Sequence, residues 1–230
     1  HILSRLRKNH KTVVGYWKDE KTQKHIAVWE RVCAGWADAQ DCLILRFGDQ
    51  MNNVAVTDGD KVAFEQVLGY HVDYCPFSEV LSYFDKVKDA EVDELVKVYF
   101  RDYAHDGRLE DRNTEEYKKV WNSAKAELTL RAILKAYGAK GFTTNFDDLD
   151  VEETGHGFDQ IPGLASQRLM SEGIGFGAEG DWKSAALYRT TWFMSQGLAG
   201  GTSFLEDYTL NFDGENTSIL EAHMLEINPD

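Results

Sequence analysis

The chain has 230 residues, a 43% apolar fraction and a formal net charge of −14 with no basic cluster. That is length and apolar content enough for a real core, and the acidic balance argues against nucleic acid or anionic membranes as partners. No apolar run is long enough to span a bilayer and no signal peptide is visible, while Cys33, Cys42 and Cys75 lack metal-like spacing and read as reduced thiols of a cytoplasmic protein.

Residues 12–17 (TVVGYW) read as a buried strand. An amphipathic helix is expected over 19–39, with Ile26, Trp29, Val32, Cys33 and Trp36 at helical spacing. Residues 42–47 (CLILRF) form a second apolar strand. Strand, helix, strand without alternation predicts a parallel sheet, so the fold class is α/β. GxGxxG is absent, so nothing suggests a dinucleotide site. The loop RFGDQM (46–51) follows directly, where parallel sheets collect ligands.

A helix over 58–68 has Asp58 as its expected N-cap. Residues 70–75 form a strand that Pro76 ends, and 77–86 and 89–104 are helices with polar outer faces. Residues 105–113 are a charged surface loop. The long helix over 114–137 is capped by Thr114 and stopped by Gly138. Residues 140–146 (KGFTTNF) are the next strand, with Phe146 at its end. The connection 147–163 has no periodicity and carries His156, which reads as solvent-facing. Residues 164–172 and 181–198 are helical.

The last stretch carries the candidate chemistry. Glu179 lies in a glycine-rich turn before a helix, and Glu206 inside an expected strand over 202–212. Alternation puts Glu206 on one face with Phe204, Tyr208 and Leu210, and a carboxylate on an apolar face needs a partner. In an expected strand over 218–227, His223 shares a face with Ile219, Glu221, Leu225 and Ile227. Two carboxylates and one imidazole from different elements are the raw material of a metal site, though the pattern by itself is weak. Strand parity turns Asp207 and Glu226 away from Glu206 and His223, so neither receives a role.

The motifs GAEGDWKSAAL (177–187), GLAGGTSFLEDYT (197–209) and AHMLEINP (222–229), with RFGDQMNNVAVTDGDKV (46–62), GFTTNFDDL (141–149) and PGLASQRLM (162–170), closely resemble L-arabinose isomerase over nearly the whole chain. The resemblance implies conversion of L-arabinose to L-ribulose through an enediol. Glu179 and Glu206 would be the catalytic acid/base pair, and Glu179, Glu206 and His223 the ligands of a divalent metal, Mn2+. Met51 and Phe146 would lie on the substrate side. It implies a homohexamer, with residues 1–42 ending an N-terminal α/β domain, 43–200 forming a central α/β domain and 201–230 opening a C-terminal β-rich domain. The family's chain is longer, and its second ligating histidine has no counterpart after His223, so the piece 1–230 alone is expected to be inactive. Two other readings stay open. One is a related metal-dependent sugar isomerase resembling L-fucose isomerase, and the other a non-catalytic sugar-binding α/β protein.

Overall fold

The structure is a computed structural model that describes residues 2–149, 158, 161–224 and 226–229. The helices are α1 (Ile2–Arg5), α2 (Glu20–Ala39), α3 (Lys61–Leu68), α4 (Phe77–Phe84), α5 (Asp89–Asp102), α6 (Glu115–Tyr137), α7 (Phe146–Leu149), α8 (Gly163–Ser171) and α9 (Trp182–Ser195). Strands β1 (Cys42–Phe47), β2 (Tyr70–Cys75), β3 (Gly141–Thr143) and β4 (Gly175–Gly177) form one parallel sheet in the order β2-β1-β3-β4. β5 (Glu206–Asn211) and β6 (Ser218–Ala222) form a separate antiparallel pair. The α/β expectation therefore holds.

The sheet is covered on both faces, as a parallel sheet requires. On one face Phe47, Phe142 and Phe176 lie on successive strands, with ring centroids 5.7 and 5.2 Å apart. Leu130, Ile133, Leu169 and Met170 close over them from α6 and α8. On the other face Ile44 and Tyr70 pack against Trp182, Ala185 and Ala186 of α9. The small residues let α9 lie tight on β4. A Cβ at Gly175 would come 2.2 Å from the Ala185 carbonyl oxygen, so only glycine fits there.

Two ionic clusters tie the helices together. Glu127 on α6 is fully buried, and accepts hydrogen bonds from Tyr99 Oη at 2.6 Å and from Nε of Arg131 and Arg168 at 2.9 Å. A buried carboxylate so surrounded joins α5, α6 and α8, and losing any one donor would leave charge uncompensated. Asp38 on α2 is gripped by Arg189 of α9, with Nε–Oδ2 at 2.7 Å and Nη2–Oδ1 at 3.0 Å, and by Lys140 Nζ at 2.8 Å. Arg189 also donates to the Gly173 carbonyl at 2.5 Å.

Several sequence expectations change. Residues 12–17 are exposed coil, because β-propensity makes a strand only where an edge accepts it, and no described strand pairs there. Trp29 and Trp36 of α2 stay exposed at 37% and 52%, since the helix meets α9 through Gly35, which faces Thr190 and Met194. Asp60, not Asp58, caps α3, accepting the Ala63 N–H at 2.9 Å. Thr114 does cap α6, accepting the Tyr117 N–H at 3.2 Å, and Gly138 closes it with φ 68°. The strand expected over 140–146 spans Gly141–Thr143, paired with Ile44–Arg46 of β1 and with β4, and Phe146 instead opens α7. His156 lies outside the described residues.

The Asp38 cluster gives a first prediction. Burial pushes the Asp38 carboxyl up, but hydrogen bonds from Arg189 and Lys140 outweigh it and hold its pKa below the ordinary range. A depressed folded-state pKa contributes stability above the ordinary carboxylate pKa, lost as pH falls through the folded value. Asp38→Asn should therefore lower unfolding free energy by about 1–3 kcal/mol at neutral pH, with the gap to wild type narrowing in acid. A gap unchanged from pH 7 to pH 3 in denaturant titrations would contradict this.

Candidate active site

Beyond the carboxyl ends of β1, β3 and β4 three loops interlock. β1 lies between β2 and β3, so the chain reverses direction across the sheet at β1, and the crevice between β1 and β3 is a topological switch point. Asn145, after β3, donates to the Asp49 carbonyl and to Asp148 Oδ2, each at 2.5 Å. The Gly180 N–H donates to the Thr144 carbonyl at 2.9 Å, and the Met51 N–H to the Glu179 carbonyl at 3.2 Å.

These bonds hold Glu179 in an unusual conformation. Its φ is 59°, in the left-handed region, and Gly180 follows at φ 85°. A Cβ on Gly180 would come 2.5 Å from Gln50 Cα, so glycine is needed for space as well as torsion. A left-handed glutamate costs about 1 kcal/mol or more and persists only where its surroundings impose it, commonly at functional sites. Asp181 then caps α9 through the N–H groups of Lys183 and Ser184, fixing where the turn ends.

The antiparallel pair reaches this rim through one aromatic contact. Phe204, just before β5, packs edge-on against Phe176 of β4 at 5.9 Å and against the His223 ring at 4.7 Å. Asn228 laces the tail to the same segment, its N–H donating to Ser203 Oγ at 2.8 Å and its Nδ2 to the Thr202 carbonyl at 2.9 Å.

Around His223 the side chains converge. Its Nε2 lies 3.9 Å from Glu206 Oε1 and its Nδ1 lies 3.3 Å from Glu226 Oε2. The His223 and Glu226 side chains are 2% and 1% exposed, Glu206 40%. His223 Nδ1 and Glu226 Oε1 are buried without a formed hydrogen bond. Burial, then the charge of Glu206, raises the Glu179 pKa above the ordinary carboxylate value. Burial lowers that of His223 against the pull of Glu179 and so keeps the imidazole neutral. Burial chiefly raises that of Glu226.

Glu179 and Glu206 line one pocket of about 400 Å3 with Asp181, Ser184, Phe204 and Asp207. A larger depression of about 680 Å3, lined by Lys86, Glu91 and Leu128, lies on the helical layer and gathers no such set. Neither Met51 nor Phe146 is among the described residues lining the acidic pocket; both are half-buried on the adjoining rim. The donor chemistry suits a divalent cation: carboxylates and an imidazole whose pKa burial lowers. Among the described residues, however, no three His, Cys, Asp or Glu side chains draw close enough to hold an ion by themselves.

Two strand-parity expectations need correction. A bulge between Asp207 and Thr209 breaks the alternation expected over 202–212, and β5 buries neither face, so Tyr208 and Leu210 are about half exposed rather than forming an apolar face with Glu206. β6 ends at Ala222, before His223. The parity that turned Glu226 away therefore does not apply, and an i, i+3 step brings the two side chains together. Nothing in the apolar periodicity marks that strand end. Leu225 lies outside the described residues.

The family model for the L-arabinose isomerase central domain matches residues 43–197, flanked by matches to the N-terminal domain over 1–41 and the C-terminal domain over 201–230. L-arabinose isomerases from Phocaeicola vulgatus and Bacteroides thetaiotaomicron are 71% and 72% identical over 229 residues, covering 100% of this chain. One from Herpetosiphon aurantiacus is 44% identical over 228 residues, 99% of the chain. The chain spans 44–45% of the length of these relatives. With its central-domain match alone covering more than half of its length, the chain belongs to the L-arabinose isomerase family.

Proposed function

We propose that this chain supplies the cation- and sugar-binding rim of an aldose–ketose isomerase that converts L-arabinose to L-ribulose. The observation that carries this is the meeting of Glu206 and His223, 3.9 Å apart, beside the left-handed Glu179. The relatives, L-arabinose isomerases, supply the reaction.

In this reading Glu179, Glu206 and His223 hold a divalent cation, and oxygen donors with a neutral imidazole favour manganese over thiolate-seeking metals. Such a cation, when bound, polarises the sugar oxygens at C1 and C2 and makes the C2 proton more acidic. Glu206, on the pocket wall, takes the proton from C2. Glu179, across the same pocket, is the group that delivers a proton to the developing hydroxyl at C1. The enediol so formed is common to both sugars, and the same two groups return a proton to C1 and remove one from the C2 hydroxyl. His223 moves no proton; its neutral ring gives a lone pair. Met51 braces the Glu179 turn through its N–H, and Phe146 walls the substrate side. The division into domains near residues 42 and 200 belongs to the same proposal, as do a cytoplasmic setting and a hexamer.

The activity test uses a chimaera in which this chain replaces the matching segment of the Phocaeicola vulgatus relative, which is 71% identical. With Mn2+ it should isomerise L-arabinose, and Glu206→Gln should cut kcat by about 100- to 10,000-fold with little change in KM. Unchanged turnover would remove Glu206 from the proton transfer. A clear preference for L-fucose would instead favour the related isomerase.

The β5–β6 pair exposes Phe212 at 73% and Leu220 at 60%. Apolar surface so displayed marks an interaction face, and the 230-residue chain should self-associate in sedimentation velocity. A monodisperse monomer at micromolar concentration would count against assembly through this face.

A further inference from the structure

Glu226 is a buried carboxylate that the isomerase reading leaves without a task. It is 1% exposed, one oxygen has no partner, and the other lies 3.3 Å from Nδ1 of a histidine whose side chain is 2% exposed. Two polar groups withdrawn from water beside each other carry a desolvation cost that a hydrogen bond between them offsets. Phe204 stands edge-on to the imidazole at 4.7 Å and restrains its plane. Nε2 then faces Glu206, while Nδ1 faces Glu226. We infer that Glu226 is a positioning residue that accepts the Nδ1–H of His223, fixes its tautomer and leaves the Nε2 lone pair free for a cation. The 3.3 Å approach of Oε2 to Nδ1 is within reach of a hydrogen bond. The cation is the part of this inference that rests on the proposed function; the tautomer is not.

The test uses the 230-residue chain labelled with 15N-histidine. At pH 8 the wild-type His223 should give the shifts of an Nδ1–H, bare-Nε2 ring. Glu226→Leu should move it toward the opposite tautomer. Glu226→Gln, which keeps an acceptor oxygen, should retain more of the wild-type pattern. Free Mn2+, counted by its EPR signal during titration, should bind the Leu variant about 10- to 100-fold more weakly than wild type, with the Gln variant between. A Leu variant with the wild-type tautomer overturns the inference, whether or not its Mn2+ affinity falls, because a loss without a tautomer change means packing alone. If no variant and no wild-type chain binds Mn2+ while the tautomer still shifts, the positioning role stands and the cation reading fails.

Discussion

The contact of Phe204 with Phe176 on one side and His223 on the other joins the two halves of the candidate site. Phe176 is fully buried on β4, the strand that ends at Gly177, two residues before Glu179. His223 follows β6 and neighbours Glu206. The small antiparallel pair has few other anchors in the core, so this aromatic bridge sets the separation of Glu179 from the Glu206–His223 pair. An edge-to-face ring pair is worth about 0.5–1.5 kcal/mol beyond its burial. That is modest, and it makes the site's geometry sensitive to whatever else packs on the same elements.

The rest of the rim is stiffer. Glu179 is held by backbone hydrogen bonds from Met51 and by those of its neighbour Gly180 to Thr144, and α9 is pinned by the Asp181 cap and the Asp38–Arg189 pair. A left-handed glutamate at the end of a parallel strand is a conformation the chain adopts against its own preference. The neighbouring glycine and the close passage of Gln50 explain how it is imposed. One acid is therefore preorganised on the sheet while its partners ride on a lightly tethered hairpin. This division fits a site whose closure depends on further donors, since the described residues alone do not bring three ligands together.

Much of this was legible in the sequence where burial and period agree. The strands Cys42–Phe47 and Tyr70–Cys75, the long helix with its Thr114 cap and the glycine-rich turn at Glu179 follow from apolar runs and capping chemistry. Legibility failed where a segment's fate depends on a neighbour. Residues 12–17 have the composition of a strand but pair with no described strand, and Trp29 and Trp36 have helical spacing but face away from the helix's contact with α9. The site failed in a subtler way. Period-2 reasoning brought Glu206 and His223 forward, yet a bulge at Tyr208 and a strand end at Ala222 shift parity by amounts that no single sequence records. Glu226 was lost for that reason.

The account stands on one claim, that Glu179, Glu206 and His223 face a common cation. Anomalous diffraction at the manganese edge, from crystals of the chimaeric full-length enzyme soaked in Mn2+, tests it directly. The account predicts one peak with carboxylate oxygens of Glu179 and Glu206 and Nε2 of His223 within about 2.0–2.3 Å. A peak held by other side chains, or one bonded through Nδ1 of His223 with Nε2 turned away, would contradict it.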